Sequence, residues 1–184
     1  MGELRLEEFK NWLSWRNRVG RALWVIVNFL LIRPAFIHQL WFWRRFWFQV
    51  FGAKLHTKSF IYPSAWVWAP WHLEMGAYSC LAAGVKVYNV GRVSIGKQVT
   101  ISQRAHLCPV SHDISSPTFP MICSEMKIEN YVWIATEAFV GGRNIVIGEG
   151  AVVAACAVVF KSVEPWAVVM GNPAQFIKKR EIKG

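Results

Sequence analysis

Aliphatic residues return at every sixth position through most of this chain. IGKQVT, ISQRAH and LCPVSH run without a gap from Ile95 to His112, each opening on an aliphatic residue and carrying a small or β-branched residue fifth. The same template fits IYPSAW at 61, VWAPWH at 67, MGAYSC at 75, LAAGVK at 81 and VYNVGR at 87. It resumes at 128 as IENYVW, IATEAF and the irregular VGGRNIV, followed by IGEGAV, VAACAV and VFKSVE. Starts at 67 and 75, and at 87 and 95, stand eight residues apart and those at 140 and 147 seven, slips that corner bulges would explain. Half-buried strands alternate apolar and polar residues, and amphipathic helices repeat at three and four, so a period of six suits neither.

The period predicts a coil of three short flat faces. First-position aliphatics, among them Ile95, Ile101, Leu107, Ile128, Ile134, Val140, Ile147, Val153 and Val159, would stack in an interior too narrow for large side chains. Fifth positions such as Ala65, Ser79, Val85, Val99, Ala105, Ser111, Val132, Ala138, Ala151, Ala157 and Val163 agree. No unit can bury its own face, so neighbours must stack as in any solenoid. An ordinary β-sandwich is set aside on this pattern. The repeat breaks between Asp113 and Lys127, directly behind His112. That excursion is long for a structureless loop in a compact domain, and long loops of this kind are commonly functional.

Residues 1–54 form a different region, and 55–184 the repeat domain with a tail over 165–184. The first sixty residues hold ten of the 21 Lys and Arg and three acids, and so supply seven of the ten net positive charges. ALWVIVNFLLI lies between Arg21 and Arg33, and WFWRRFWFQVF carries seven aromatics in eleven positions. A single helix crossing a bilayer needs about 20 apolar residues. The first run is eleven long and stops at Arg33 and Pro34, and no small-residue cleavage motif follows it. The expectation is two helices hinged near Pro34 and lying on the inner face of the cytoplasmic membrane, with Trp rings at headgroup level and arginines on lipid phosphates. Packing of these aromatics against the base of the coil, or against a neighbouring subunit, is the alternative. Nucleic acid is not expected, because stacking platforms need rings exposed among polar residues and these sit in apolar runs.

Cys80, Cys108, Cys123 and Cys156 have no C-x-x-C spacing and read as reduced thiols. Among the histidines, His112 stands at the outward sixth position immediately before the excursion. An imidazole can take a proton from an attacking hydroxyl and return it to a leaving group near neutral pH. His106 holds the same position one unit earlier on the adjacent face; stacking on one face would need a separation of one coil, roughly eighteen residues. His56 and His72 lie nearer the start of the coil, and His38 falls in the basic aromatic segment.

The repeat, with SHDISSPTFP, VWIATEAFVG, IGEGAVVAA and VVMGNPAQFIKKR, resembles the hexapeptide-repeat acyltransferases over roughly residues 55–181. The similarity is to the branch of exopolysaccharide O-acetyltransferases that includes those of colanic acid biosynthesis. The resemblance implies a mainly β fold, a left-handed parallel β-helix, with the hydrophobic helical segment before it and a short tail behind. It implies acetyl-CoA as acyl donor, a homotrimer, and a sugar or lipid-linked glycan acceptor. Carried over by position, His112 is the catalytic base and Asn89 faces the acceptor; Asp113, directly after His112, would orient the imidazole or contact the acceptor hydroxyl. Trp133 and Thr136 lie near the thioester, Gly141 and Gly142 along the groove, Ala155 and Lys161 farther up, and Lys178 near the nucleotide phosphates. Gln175 stands where some relatives carry a basic residue, for which Lys179 and Arg180 could compensate. No metal is expected. The γ-class carbonic anhydrases share the fold but need three well-placed histidines, and only His106 and His112 lie close in sequence. A non-catalytic scaffold of a polysaccharide synthesis complex stays open, since fold alone does not decide function.

Overall fold

The computed structural model describes residues 3–10, 13–34 and 40–183. From Lys54 the chain winds as a parallel β-helix with three flat faces. Face A is Lys54–Leu55, Leu73–Met75, Val93–Ile95, Met126–Ile128 and Ile145–Ile147. Face B runs through Phe60–Ile61, Cys80–Leu81, Thr100–Ile101, Trp133–Ile134 and Val152–Val153. Face C is Trp66–Val67, Lys86–Val87, His106–Cys108, Phe139–Gly141 and Val158–Val159.

The stack of aliphatics is as expected: Ile101, Leu107, Ile134, Val140, Ile147 and Val153 are fully buried, as are Ala105, Ala138, Ala151 and Ala157 at the fifth positions. Each such aliphatic contributes on the order of 1.5–3 kcal/mol. The corners explain why six residues suffice per face. Tyr78, Gln98, Tyr131 and Trp166 at the A-to-B corner, and Arg104, Glu137 and Cys156 at the B-to-C corner, all take φ between 54° and 61°. This left-handed conformation turns the chain from one face to the next within a few residues, at a steric cost the stacked wall must offset.

The early coils are longer than the expected eighteen residues. Lys54 pairs with Glu74, Phe60 with Cys80 and Trp66 with Lys86, each twenty positions on. All the additional residues lie at the C-to-A corner. There Pro70–His72 forms a 3-10 turn, and Asn89–Arg92 bulges one coil later. Residues 109–125 leave at this same corner, and pairing then resumes in frame, with Ser94 beside Lys127, Thr100 beside Trp133 and His106 beside Phe139. The returning leg passes so close to the bulge below that a Cβ on Gly91 would lie 2.0 Å from the Ser124 carbonyl oxygen.

LCPVSH is therefore half a coil unit. Leu107 stacks in the interior, the chain departs at Pro109, and Ser111 is exposed rather than interior. The excursion is also not structureless: Val110–His112 pairs antiparallel with Met121–Cys123. The tail departs from expectation as well. Ala167–Met170 joins face B beside Val152–Val153, and Gln175–Lys179 folds back onto it as an antiparallel strand.

At the other end, the helices α1 (Trp15–Val27) and α2 (Trp41–Val50) cover the first coil. Ser14 caps α1 by accepting from the Asn17 N–H, and a π-turn over Asn28–Ile32 precedes the bend at Arg33 and Pro34. An open solenoid end would expose its stacked interior, so a cap is needed. Trp24, only 2% exposed, donates its indole N–H to the Val67 carbonyl at 2.8 Å and meets the Phe48 ring edge-on. Arg44 is buried and donates Nε–H to the Ile61 carbonyl at 2.9 Å. The expectation that the tryptophans form an outer belt is corrected for α2 and for Trp24: these rings face the solenoid or each other. Among the described residues no helix is long and apolar enough to cross a membrane. His38 lies outside the described residues.

Candidate active site

The excursion is fastened at its base and along its flank. At its base the Pro109 carbonyl accepts from both the amide and the hydroxyl of Ser124, at 3.0 and 3.1 Å. Its flank packs on a second apolar cluster in which Leu13, from the segment before α1, is buried with Trp68, Ala69 and Val90 against Val110, Met121 and Cys123. The N-terminal arm continues along the excursion: the Arg5 amide donates to the Pro117 carbonyl at 2.7 Å, and the Phe9 ring lies 6.2 Å from that of His112.

His112 sits half-buried on the hairpin opposite Met121. Its Nδ1 is 2.9 Å from the Phe119 carbonyl oxygen, and the Phe119 ring stacks on the imidazole at 4.4 Å with an interplanar angle of 9°. A carbonyl can only accept, so Nδ1 carries the hydrogen and the Nε2 lone pair is left for a proton. Phe119 itself has φ 49°, unusual for a bulky residue away from the repeating corners. An off-repeat backbone that serves an imidazole is the kind of strain found at functional sites.

Asp113 does not orient the imidazole. Its carboxylate accepts from the amide and hydroxyl of Ser115, and those bonds hold its pKa below the ordinary value. Asn89, expected to face the acceptor, is 0% exposed. Its amide bridges the coil below, accepting from Ala69 N–H at 3.0 Å and donating to Ala69 C=O at 2.7 Å. Asn89 is thereby corrected to a structural role, whereas the Asp113 carboxylate holds the turn that follows His112. His106 belongs to the wall, with its ring edge-on to Phe139 at 5.3 Å, and burial, then the charge of Lys86, lower its pKa. His72 lies 3.3 Å from the Asn89 carbonyl, and His56 accepts from the Lys58 amide. All four cysteines are free thiols, and burial raises the pKa of Cys80, Cys108 and Cys123, which makes them poor nucleophiles. Among the described residues no three His, Cys, Asp or Glu side chains are grouped to hold a metal.

The residues expected along the donor fall into two sets. Gly142 sits at the base of the excursion, its amide directed at the Cys108 carbonyl and its own carbonyl accepting from the Ser124 hydroxyl at 3.1 Å. Beside it, the Phe139 ring lies over Gly141, where a Cβ would come within 2.5 Å of it. Lys161 is one coil farther along the same corner and, with Gln175, lines a cavity of about 490 Å³. Trp133, in contrast, stands on the outside of face B, 46% exposed, its indole N–H donated to Ser102. Thr136 bonds Gln103 at the B-to-C corner, Ala155 lies one coil beyond it, and Lys178 is on the terminal strand of face B. One chain does not bring the two sets together, since face C separates them. Arg180 joins neither: its guanidinium donates to the Tyr131 and Gly150 carbonyls at 2.8 and 3.0 Å and staples the A-to-B corner.

Sequence reading missed Phe119, Phe9, Arg5 and Leu13. The trace in the sequence was an aromatic between two prolines in SSPTFP, and Phe9 and Leu13 four residues apart ahead of the first long apolar run.

A three-faced β-helix with a histidine held on an excursion from one corner defines the class of hexapeptide-repeat transferases. No family model matches the chain. It is 38% identical over 166 residues, 89% of each chain, to the putative colanic acid biosynthesis acetyltransferase WcaF of Escherichia coli K12. Among solved structures it is similar to a hexapeptide-repeat-containing acetyltransferase of Vibrio cholerae in complex with acetyl coenzyme A (22% identity, TM-score 0.80, covering 95% of this chain and 94% of that one). It is also similar to a maltose O-acetyltransferase of Clostridium difficile (20% identity, TM-score 0.80, covering 92% and 90%). The chain belongs to the hexapeptide-repeat acetyltransferases, in the family of the colanic acid biosynthesis acetyltransferase.

Proposed function

We propose that this protein moves an acetyl group from acetyl-CoA to a hydroxyl of an exopolysaccharide or of its lipid-linked glycan precursor, with His112 as general base. The observation that carries the reading is the imidazole itself, locked through Nδ1 by the Phe119 carbonyl so that Nε2 is the basic atom. Nε2 takes the proton of the acceptor hydroxyl as its oxygen forms a bond to the thioester carbonyl carbon. The carbon–sulfur bond then breaks, and the imidazolium returns the proton to the departing thiolate. No covalent acyl-enzyme is required, in keeping with the raised pKa of Cys108.

The division of the donor residues supports a homotrimer. Face A turns out Lys54, Glu74 and Lys127 beside Ser94 and Val146, with Lys54–Glu74 and Lys127–Glu129 pairs at 2.9 Å, whereas faces B and C, which also carry Thr100, Lys86 and His106, turn out Phe60, Trp133, Val152, Trp66 and Phe139. Cyclic packing of B against C of the next copy would set Trp133, Thr136 and Ala155 of one chain opposite Gly142 and Lys161 of another. The bare backbone at Gly142 and the cation of Lys161 suit a phosphate-bearing thioester lying in such a groove.

The test is transfer from labelled acetyl-CoA to undecaprenyl-linked oligosaccharides and to the free polysaccharide, read by mass spectrometry of the acceptor. Acetyl gain on either is expected. Thiol release without acetyl gain on any glycan would sink the acceptor assignment.

A further inference from the structure

Although the inner faces of α1 and α2 are consumed by the cap, their outer faces are apolar too. Along α1 and the π-turn, Trp15, Val19, Leu23, Ile26 and Leu30 recur at intervals of three and four, and all are exposed, Trp15 by 70%. On α2 the exposed set is Phe42, Phe46 and Val50, again one helical turn apart. A helix that had only to cap the solenoid would turn polar residues outward.

The charge around these stripes has one sign. Between Glu8 and Glu74 the sequence contains no Asp or Glu, and it contains nine Lys and Arg. Two are turned inward onto the coil, Arg44 onto Ile61 and Arg45 onto Thr57, and Arg21 lies over the Trp68 ring at 3.9 Å. Arg16, on α1, and Arg33, directly after the π-turn, are exposed beside the stripe, and Lys10 of the preceding arm is exposed as well. Exposed apolar rows with a cationic margin and no carboxylates complement a surface that is apolar inside and anionic at its edge. Among the described residues no helix can cross a bilayer, so the orientation such helices adopt is flat in the interface.

We infer that the outer face of α1, the π-turn and α2 docks this protein onto an anionic lipid surface and holds the His112 hairpin close beneath it. The cap rests on the first coil, through Trp24 to Val67 and Arg44 to Ile61, and Leu107 lies in the third. Coils stack about 4.8 Å apart, so the excursion leaves the wall roughly 10 Å from the coil on which the cap rests. The arm closes that distance within the same chain, with Leu13 in the hairpin cluster and Arg5 on Pro117. A glycan still attached to its lipid would meet the imidazole without leaving the surface, a consequence that rests on the acetyl-transfer reading; the docking itself does not.

The experiment is flotation of the full chain with vesicles of phosphatidylcholine containing phosphatidylglycerol, and with phosphatidylcholine alone. The protein is expected to rise with the anionic vesicles, and Leu23→Glu/Ile26→Glu/Leu30→Glu to reduce recovery at least about tenfold, with Arg16→Gln/Arg33→Gln giving a smaller, salt-sensitive loss. The arginine variant keeps the test decisive should the triple variant fail to fold. Both variants are expected to acetylate a water-soluble oligosaccharide at the unmodified rate. Wild-type protein staying at the bottom of the gradient, or the triple variant floating equally well, would overturn the inference. So would a fall in oligomeric mass on sedimentation of the triple variant, which would make this face a contact between copies. Flotation without acetyl transfer to any glycan would leave the docking standing and remove the acetyl-transfer reading alone.

Discussion

Six residues separate His106 from His112, and the two imidazoles belong to different kinds of structure. His106 is part of the wall: its neighbours above and below, Phe139 and Lys86, are imposed by register. His112 has left the wall, and its partner is a carbonyl from its own excursion. Side chains in the wall meet the next coil within about 5 Å on either side, so a ring there is a packing element. A ring on the excursion can be gripped at one nitrogen and open at the other. Under the proposed function, the chemistry falls where the repeat is broken.

The largest test of that contrast is to remove each ring. His112→Ala is expected to lower acetyl transfer by about 10²–10⁴, the usual contribution of a general base, whereas His106→Phe should remain within about threefold, since it keeps a ring against Phe139. Thiol release from acetyl-CoA with a glycan acceptor measures both, and equal losses would erase the distinction. A finer test separates the Phe119 carbonyl from its ring. Phe119→Asn tolerates the left-handed backbone and keeps the carbonyl; loss of the stack should cost about 1 kcal/mol, a several-fold fall in rate with unfolding little changed. A drop as deep as that of His112→Ala would mean the ring, not the carbonyl, positions the base.

The smallest effect belongs to the wall. Because folding lowers the pKa of His106, the unfolded chain binds that proton at higher pH than the folded one, and stability falls as pH drops through the ordinary histidine range. Between about pH 7.5 and about 5.5 the urea midpoint of His106→Phe should therefore decline less than that of the unmodified protein. A steeper decline in the variant would contradict the burial of His106.

Most of the wall was legible because it is governed by a local rule: an aliphatic at the first position must stack on the one a coil away, and Ile101 and Ile134 do. Even the slips were legible as bulges, although their common location at one corner was not, since sequence spacing does not say which corner a bulge occupies. The position of His112 before the excursion was legible too. What the repeat could not reveal were contacts that obey no period: the Phe119 carbonyl on the imidazole, the arm against Pro117, and the inward turn of Trp24 and Arg44. Asn89 was misread for a related reason. Its position, carried over from the resembling acetyltransferases, suggested an acceptor contact, but a buried amide above a bare backbone amide and carbonyl finds its partners there first.

Register on all three faces is the same after residues 109–125 as before them. In hereditary terms the excursion is a graft: stacking between neighbouring coils sets the frame, so a different excursion at this corner would leave the scaffold's inheritance intact. The graft has one condition, written in the stock rather than the scion. Its return leg crosses Gly91, where a Cβ would stand 2.0 Å from Ser124 O, so lineages that exchanged this segment for one returning by the same route would be held to a bare residue one coil below.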